Sequence, residues 1–195
     1  MQYLMICIIL MMSVRVKENI ANFRRSFPAD VKLTFIPWNT PQLIQRLKEY
    51  APTAIIISGS EQRILTSKVQ LPKAILKLNI PILGLCYGFE WLMITLKGCN
   101  AICTFDNDQS HTYSRYLDPF KTSIGKHRYY FTHHDHIVAI PDDWEIDIKG
   151  NSFNHEQIWM AHSKKQKIMA LQFHPEQYNA SAKPFYSAWL AWLQR

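Results

Sequence analysis

Through the first half of the chain, apolar residues fall in short unbroken runs separated by mixed, helix-like stretches. "YLMICIIL", "VKLTFI", "TAIIIS" and "IPILGL" are strand-length and too uniformly apolar to have a wet face. Between them, Val16 to Phe27, "TPQLIQRLKEY" and "LPKAILKL" read as helices, with Thr40 able to cap the second and Pro41 in its first turn. Strands buried on both faces and joined by helices predict an α/β fold with a central, mostly parallel sheet. After Arg128 the pattern changes. "RYYFTHH", "HIVAI", "WEIDI", "QIWMAHS" and "KIMALQF" follow in quick succession, which predicts a small antiparallel region between Arg128 and Ser163. A closing helix begins near Ser181 and carries Phe185, Trp189 and Leu193 on one core-facing stripe.

Length and composition narrow this further. The 195 residues contain no Gly- or Pro-rich linker, so a single domain over 1–195 is expected. A hydrophobic content of 48% excludes a disordered chain. "MQYLMICIILMMSV" lacks a basic leader and a small-residue cleavage site, and is too short to span a bilayer. It reads as a buried central strand, and no membrane partner is expected. The formal charge of +7 raises the question of nucleic acid. The basic residues are scattered, however, over Arg24-Arg25, Lys121, Lys126-His127-Arg128 and Lys164 to Lys167, which reads as solvated surface. Cys7, Cys86, Cys99 and Cys103 form no disulfide framework, and a reducing cytoplasmic location is expected. Cys99 and Cys103 have no second ligand pair beside them and read as buried structural thiols.

The chemistry lies in "PILGLCYGFEWL", Pro81 to Leu92. Gly84-Leu85-Cys86-Tyr87-Gly88 has the G-x-nucleophile-x-G form of a strand-to-helix elbow, followed by helical spacing at Phe89, Leu92, Met93 and Leu96. Such a turn sets a sulfur at a helix N-terminus, where the dipole and free N–H groups favour thiolate. The N–H of Tyr87 points where an oxyanion would form. In "LQFHPEQY", His174 follows an apolar strand and should emerge at the same sheet edge. Glu176, two residues on in an extended segment, can orient the imidazole.

With "AIIISGS" and "FTHHDHIVAIPDDWEI", these motifs resemble the class I (triad) glutamine amidotransferases, closest to the amidotransferase domain or subunit of GMP synthases. The resemblance implies a flavodoxin-like fold and the triad Cys86, His174 and Glu176. It implies an oxyanion hole from Gly59, Ser60 and Tyr87, with Glu90, His133 and Asp135 near the substrate or a partner interface. The substrate implied is glutamine or another γ-glutamyl compound; no metal or other cofactor is implied. The partner implied is a separate ATP-dependent, GMP-synthetase-like subunit. The "HHDH" cluster, His133 to His136, leaves a metal site as an alternative.

Four departures from the family pattern carry expectations of their own. Ser60 stands where the family has Gly; a positive φ there would cost about 1 kcal/mol. Glu90 replaces the family's Gln, and its carboxylate would repel that of glutamine. "MMSVRVKE" replaces the usual Asp-x-Gly-Ser-Gln-like segment, and "TFDNDQSHTYSR" lacks the usual Glu-Tyr-Gly. Two further functions stay open: a γ-glutamyl peptide hydrolase with the same triad, and a catalytically silent binding or regulatory relative.

Overall fold

The computed structural model describes residues 4–104, 112–117, 127–152 and 155–195, excepting the side chains of 112–117, 127, 128, 152 and 155. Most of "TFDNDQSHTYSR", Lys121, Lys126 and the side chains of His127 and Arg128 lie outside the described residues. In chain order the elements are β1 (Met5–Leu10), α1 (Val16–Ser26), β2 (Lys32–Pro37), α2 (Leu43–Tyr50), β3 (Ala54–Ile57), β4 (Ile82–Leu85) and α3 (Tyr87–Lys97). Then come β5 (Ile102–Thr104), β6 (Thr112–Leu117), β7 (His127–Thr132), β8 (Asp135–Ile137), β9 (Trp144–Ser152), β10 (His155–Ser163), β11 (Ile168–Leu171) and α4 (Asn179–Leu193).

One seven-stranded sheet runs in the order β2-β1-β3-β4-β11-β10-β9. The first five strands are parallel, and β10 and β9 extend the sheet antiparallel. The antiparallel region is therefore divided. Its longest hairpin belongs to the main sheet, and β5–β8 and β6–β7 form two separate ribbons.

The unbroken apolar runs have the physical reason inferred for them. Along β1, Ile6, Ile8 and Leu10 pack on one side with Phe23 of α1 and Tyr186 and Trp189 of α4. Cys7, Ile9 and Met11 pack on the other with Leu47 of α2 and Trp91 of α3. Both faces are covered, so neither set of alternating positions can be polar. On α4, Phe185 and Trp189 are buried as expected, while Leu193 is half-buried.

Three local expectations fail. α2 starts only at Leu43, behind Gln42 at φ 56° with no side-chain cap. Thr40 instead donates its N–H to Pro37 O, so Thr40 and Pro41 belong to the preceding turn. "LPKAILKL" forms a six-residue 3₁₀ helix, Lys73–Leu78, with only Ile75 buried. Cys99 and Cys103 are exposed rather than buried. Ala101 and Ile102 take the inward positions there, and alternation along β5 turns Cys103 outward. Among the described residues, no helix is long and apolar enough to cross a membrane.

Candidate active site

Cys86 sits between β4 and α3. Its N–H donates to Leu171 O of β11 at 2.7 Å, and its carbonyl accepts from Glu90 N–H at 3.0 Å. Gripped at both ends, it adopts φ 50° and ψ −106°. For a non-glycine residue this is strained by on the order of 1–3 kcal/mol, which the surrounding structure must supply. The flanking glycines serve close approach. A Cβ on Gly88 would lie 2.3 Å from Ile57 O, and one on Gly84 would lie 2.6 Å from Leu92 Cδ1. The G-x-C-x-G spacing is thus steric: it lets α3 start directly against the sheet.

His174 leaves the sheet just after β11, and its N–H donates to Tyr130 O of β7 at 2.7 Å. Its Nδ1 lies 2.8 Å from Glu176 Oε1. A carboxylate only accepts, so Nδ1 carries the proton of that bond and Nε2 is left for Cys86. Glu176 reaches the ring because Pro175–Gln177 forms a 3₁₀ turn, not the extended segment inferred above. The Cys86 and His174 side chains are in hydrogen-bonding reach of each other. Burial works against a charged His174, but Glu176 and Cys86 override it and hold its pKa well above the ordinary histidine value. Burial pushes the Cys86 thiol up, opposed by His174. The sulfur also lies 3.4 Å from Thr132 O.

The backbone N–H of Tyr87 faces the Cys86 sulfur, and its hydroxyl, 2.7 Å from Val69 O, pins the ring. Gly59 lies flat against the catalytic pair: a Cβ there would stand 2.6 Å from His174 Cε1 and 3.5 Å from Cys86 Cβ. Ser60 corrects an expectation. It is not among the positive-φ residues, so replacing Gly adds no strain. Its hydroxyl instead accepts Gln62 N–H at 3.2 Å and braces the loop.

Glu90 corrects another. It is buried on the cleft wall, and its Oε1 accepts from Gln172 Nε2 at 3.0 Å. Burial, with Asp135 adding to it, pushes its carboxyl up to about 8, so the group is mostly neutral at pH 7 and carries little repelling charge. His133 lines the cleft with Nδ1 2.8 Å from Asp135 O, and burial pushes it down to about 4. Asp135 is not on the cleft wall. Its carboxylate accepts Ile64 N–H at 2.9 Å and Thr104 Oγ1–H at 2.6 Å, tying the 64 loop to β5. Among the described residues, no group of three His, Cys, Asp or Glu is arranged to hold a metal ion.

The cleft measures about 390 Å³ and has a wall that sequence reasoning missed. Arg15, Glu18, Asn19 and Asn22 of the α1 region line it, so the departing segment "MMSVRVKE" borders the site. Glu61 ties that segment to the Gly59–Ser60 loop by accepting Ser13 N–H at 3.1 Å and Ser13 Oγ–H at 2.5 Å. Asn19 and Asn22, three apart, are buried on the inner face of α1, where the sequence alone reads as polar helix surface.

The chain is also similar to known proteins. The family model "Glutamine amidotransferase class-I" matches residues 12–190. The chain is 31% identical over 151 residues to a Chlamydia pneumoniae protein assigned as a glutamine-hydrolysing GMP synthase, covering 72% of this chain and 33% of that protein. It is 31% identical over 160 residues to the GMP synthase of Borreliella burgdorferi strain N40, covering 78% and 30%. The chain thus spans about a third of these relatives' length. A solved structure of a Thermoplasma acidophilum protein, assigned as one subunit of a GMP synthase, shares the fold, with TM-score 0.69, 18% identity and coverage of 100% and 98%.

Proposed function

The chain belongs to the class-I glutamine amidotransferase family, and from that premise we propose that it hydrolyses the side-chain amide of glutamine through a thioester on Cys86. The observation that carries this is the convergence, in one cleft, of a strained cysteine elbow with a carboxylate-oriented histidine. His174 holds the proton it shares with Cys86 as the sulfur attacks the carboxamide carbon. The oxyanion forms against the N–H of Tyr87 and one from the Gly59–Ser60 loop. His174 protonates the departing nitrogen, ammonia leaves, and the thioester remains. His174 then takes a proton from water, whose oxygen displaces the sulfur and releases glutamate. Glu90, neutral and facing the cleft, offers an O–H to the substrate's carboxylate. His133, also neutral, lines the substrate's path, and Asp135 keeps that wall in place.

By similarity to the GMP synthases, the ammonia acceptor is an ATP-dependent synthetase of that kind lying outside these 195 residues, in the cytoplasm, with 1–195 forming one domain. One observation favours γ-glutamyl peptide hydrolysis instead: the cleft continues past Cys86 to Arg15, Glu18 and Asn19, where a larger leaving group would fit. The silent-relative alternative weakens, because Ser60 is unstrained and Glu90 is mostly neutral.

Two measurements test the assignment. Glutamate release should disappear in Cys86→Ala, and a γ-glutamyl chloroketone should modify Cys86 first, with glutamine protecting it. The exposed Cys99 and Cys103 should react slowly and without protection. Turnover surviving in Cys86→Ala would overturn the mechanism. Faster release from γ-glutamyl peptides than from glutamine would move the assignment to the hydrolase.

A further inference from the structure

In α4 and the Pro175–Gln177 turn that precedes it, three sealed polar atoms have no hydrogen-bond partner among the described residues. They are Glu176 Oε2, the Tyr186 hydroxyl and Trp189 Nε1. Their residues are almost wholly buried, at 1%, 0% and 0% exposure. Buried polar groups are nearly always paired, directly or through an ordered water, so such a cluster calls for a reason.

Chemistry sorts the three at once. Glu176 Oε2 is an acceptor, and the Tyr186 hydroxyl and the Trp189 indole N–H can donate. Tyr186 is held by its neighbours. Its ring stands 4.3 Å from that of Phe27, 5.3 Å from Phe185 and 6.4 Å from Trp189. A ring so enclosed cannot swing its hydroxyl out to water. Burial, then the negative charge of Glu176, keeps the phenol's pKa well above its ordinary value, so it remains an O–H donor. α4 packs against the Pro175–Gln177 turn, which brings Tyr186 within electrostatic range of Glu176.

The other oxygen of Glu176 is already engaged with His174 Nδ1 at 2.8 Å. A carboxylate held by one oxygen turns easily about its last torsion, which has a broad minimum. Each turn would loosen the bond that sets the imidazole's tautomer and tilt. A donor on the second oxygen removes that freedom.

We propose that Tyr186 is a positioning residue: its hydroxyl donates to Glu176 Oε2 through one buried water and locks the carboxylate against His174. The inference rests on the triad reading above, and gives the aromatic face of α4 a role beyond packing. A water between the two would have both as polar partners, within the usual two to four.

The test is Tyr186→Phe, which keeps the ring and deletes only the hydroxyl. In the resting protein, the His174 ring is titrated by NMR with ¹³C-labelled histidine. Its midpoint should fall by about half a pH unit as Glu176 loosens its hold. In turnover, kcat should drop about fivefold, with KM unchanged. The alkaline limb of kcat, where His174 loses its proton, should move to lower pH by the same amount. Phe185→Leu is the packing control: it should lower the melting temperature and leave the His174 titration in place.

Superimposable His174 titrations for Tyr186→Phe and wild type would overturn the proposal. So would an equal shift in Phe185→Leu, which would trace the effect to packing. A wild type that releases no glutamate would sink the reaction assignment alone. The resting-state titration would still decide the Tyr186 contact.

Discussion

Two trios of ionisable side chains gather near the cleft, and burial acts with opposite results on the histidine of each. Cys86, His174 and Glu176 form a relay in which each member faces the next, and Glu176 outweighs the desolvation that would discharge His174. Glu90, His133 and Asp135 are also buried, and the hydrogen bonds that hold them run to neutral groups. There desolvation prevails on Glu90, which rises to about 8, and on His133, which falls to about 4, while Asp135 spends its oxygens on Ile64 and Thr104. Burial alone does not make a group reactive. An opposite charge built in beside it separates a proton carrier from a neutral wall.

Breaking the first trio without touching its members should have the largest effect. Gly59→Ala places a methyl 2.6 Å from His174 Cε1, so the ring must tilt from Cys86. Glutamine turnover should fall about a hundredfold or more, on the scale of a lost oxyanion donor. The far-ultraviolet circular dichroism should stay native. Activity within threefold of wild type would mean that the loop yields and the tight packing is dispensable.

The second trio is sharpened by Glu90→Gln, which keeps the shape and fixes the neutral form. Wild-type Glu90 ionises as pH passes about 8, leaving roughly a tenth protonated at pH 9. KM for glutamine should therefore rise about tenfold relative to Glu90→Gln between pH 7 and 9. Stability should follow the same group. Its folded pKa is raised from 4.5 to about 8, so the native state keeps a proton that the unfolded chain has lost. Wild-type stability should decline across that window as pH rises, and Glu90→Gln should not follow it. Denaturation midpoints at pH 5, 7 and 9 measure the difference. Parallel pH profiles for the two proteins would show that Glu90 is already charged at neutral pH.

The smallest effect belongs to Ser60→Gly. With no positive φ to relieve, and only the 3.2 Å bond to Gln62 to lose, turnover should stay within about twofold. A tenfold gain in initial rate would restore the strained-loop account.

The sheet and the elbow were legible in the chain because each rests on a local steric rule. Runs such as "MICIIL" tolerate no polar position when both faces are covered, and G-x-C-x-G is demanded by contacts with Ile57 and Leu92. His174 could be placed because it follows an apolar strand. The misses share another cause: they were decided by groups distant in sequence. Glu90 looks like a charge until Gln172 and Asp135 close over it. Ser60 looks strained until the loop's real dihedrals are known. Asn19 and Asn22 look like helix surface until their helix is seen lining the cleft. Cys99 and Cys103 went wrong for a humbler reason, since a three-residue strand leaves too little pattern to tell its faces apart.

The strand order has a consequence in time. β11, though close to the C-terminal end of the sequence, lies inside the sheet, hydrogen-bonded between β4 and β10. While a ribosome is still making it, the earlier strands can assemble only as two separate pieces, β2-β1-β3-β4 and β10-β9, each with an open edge. Cys86 has by then been synthesised for some eighty residues, without the Leu171 carbonyl that grips its backbone and without His174 or Glu176. Arrival of β11 closes both edges and delivers the histidine in one event. The growing chain thus carries its nucleophile unarmed, and arming coincides with completion of the sheet.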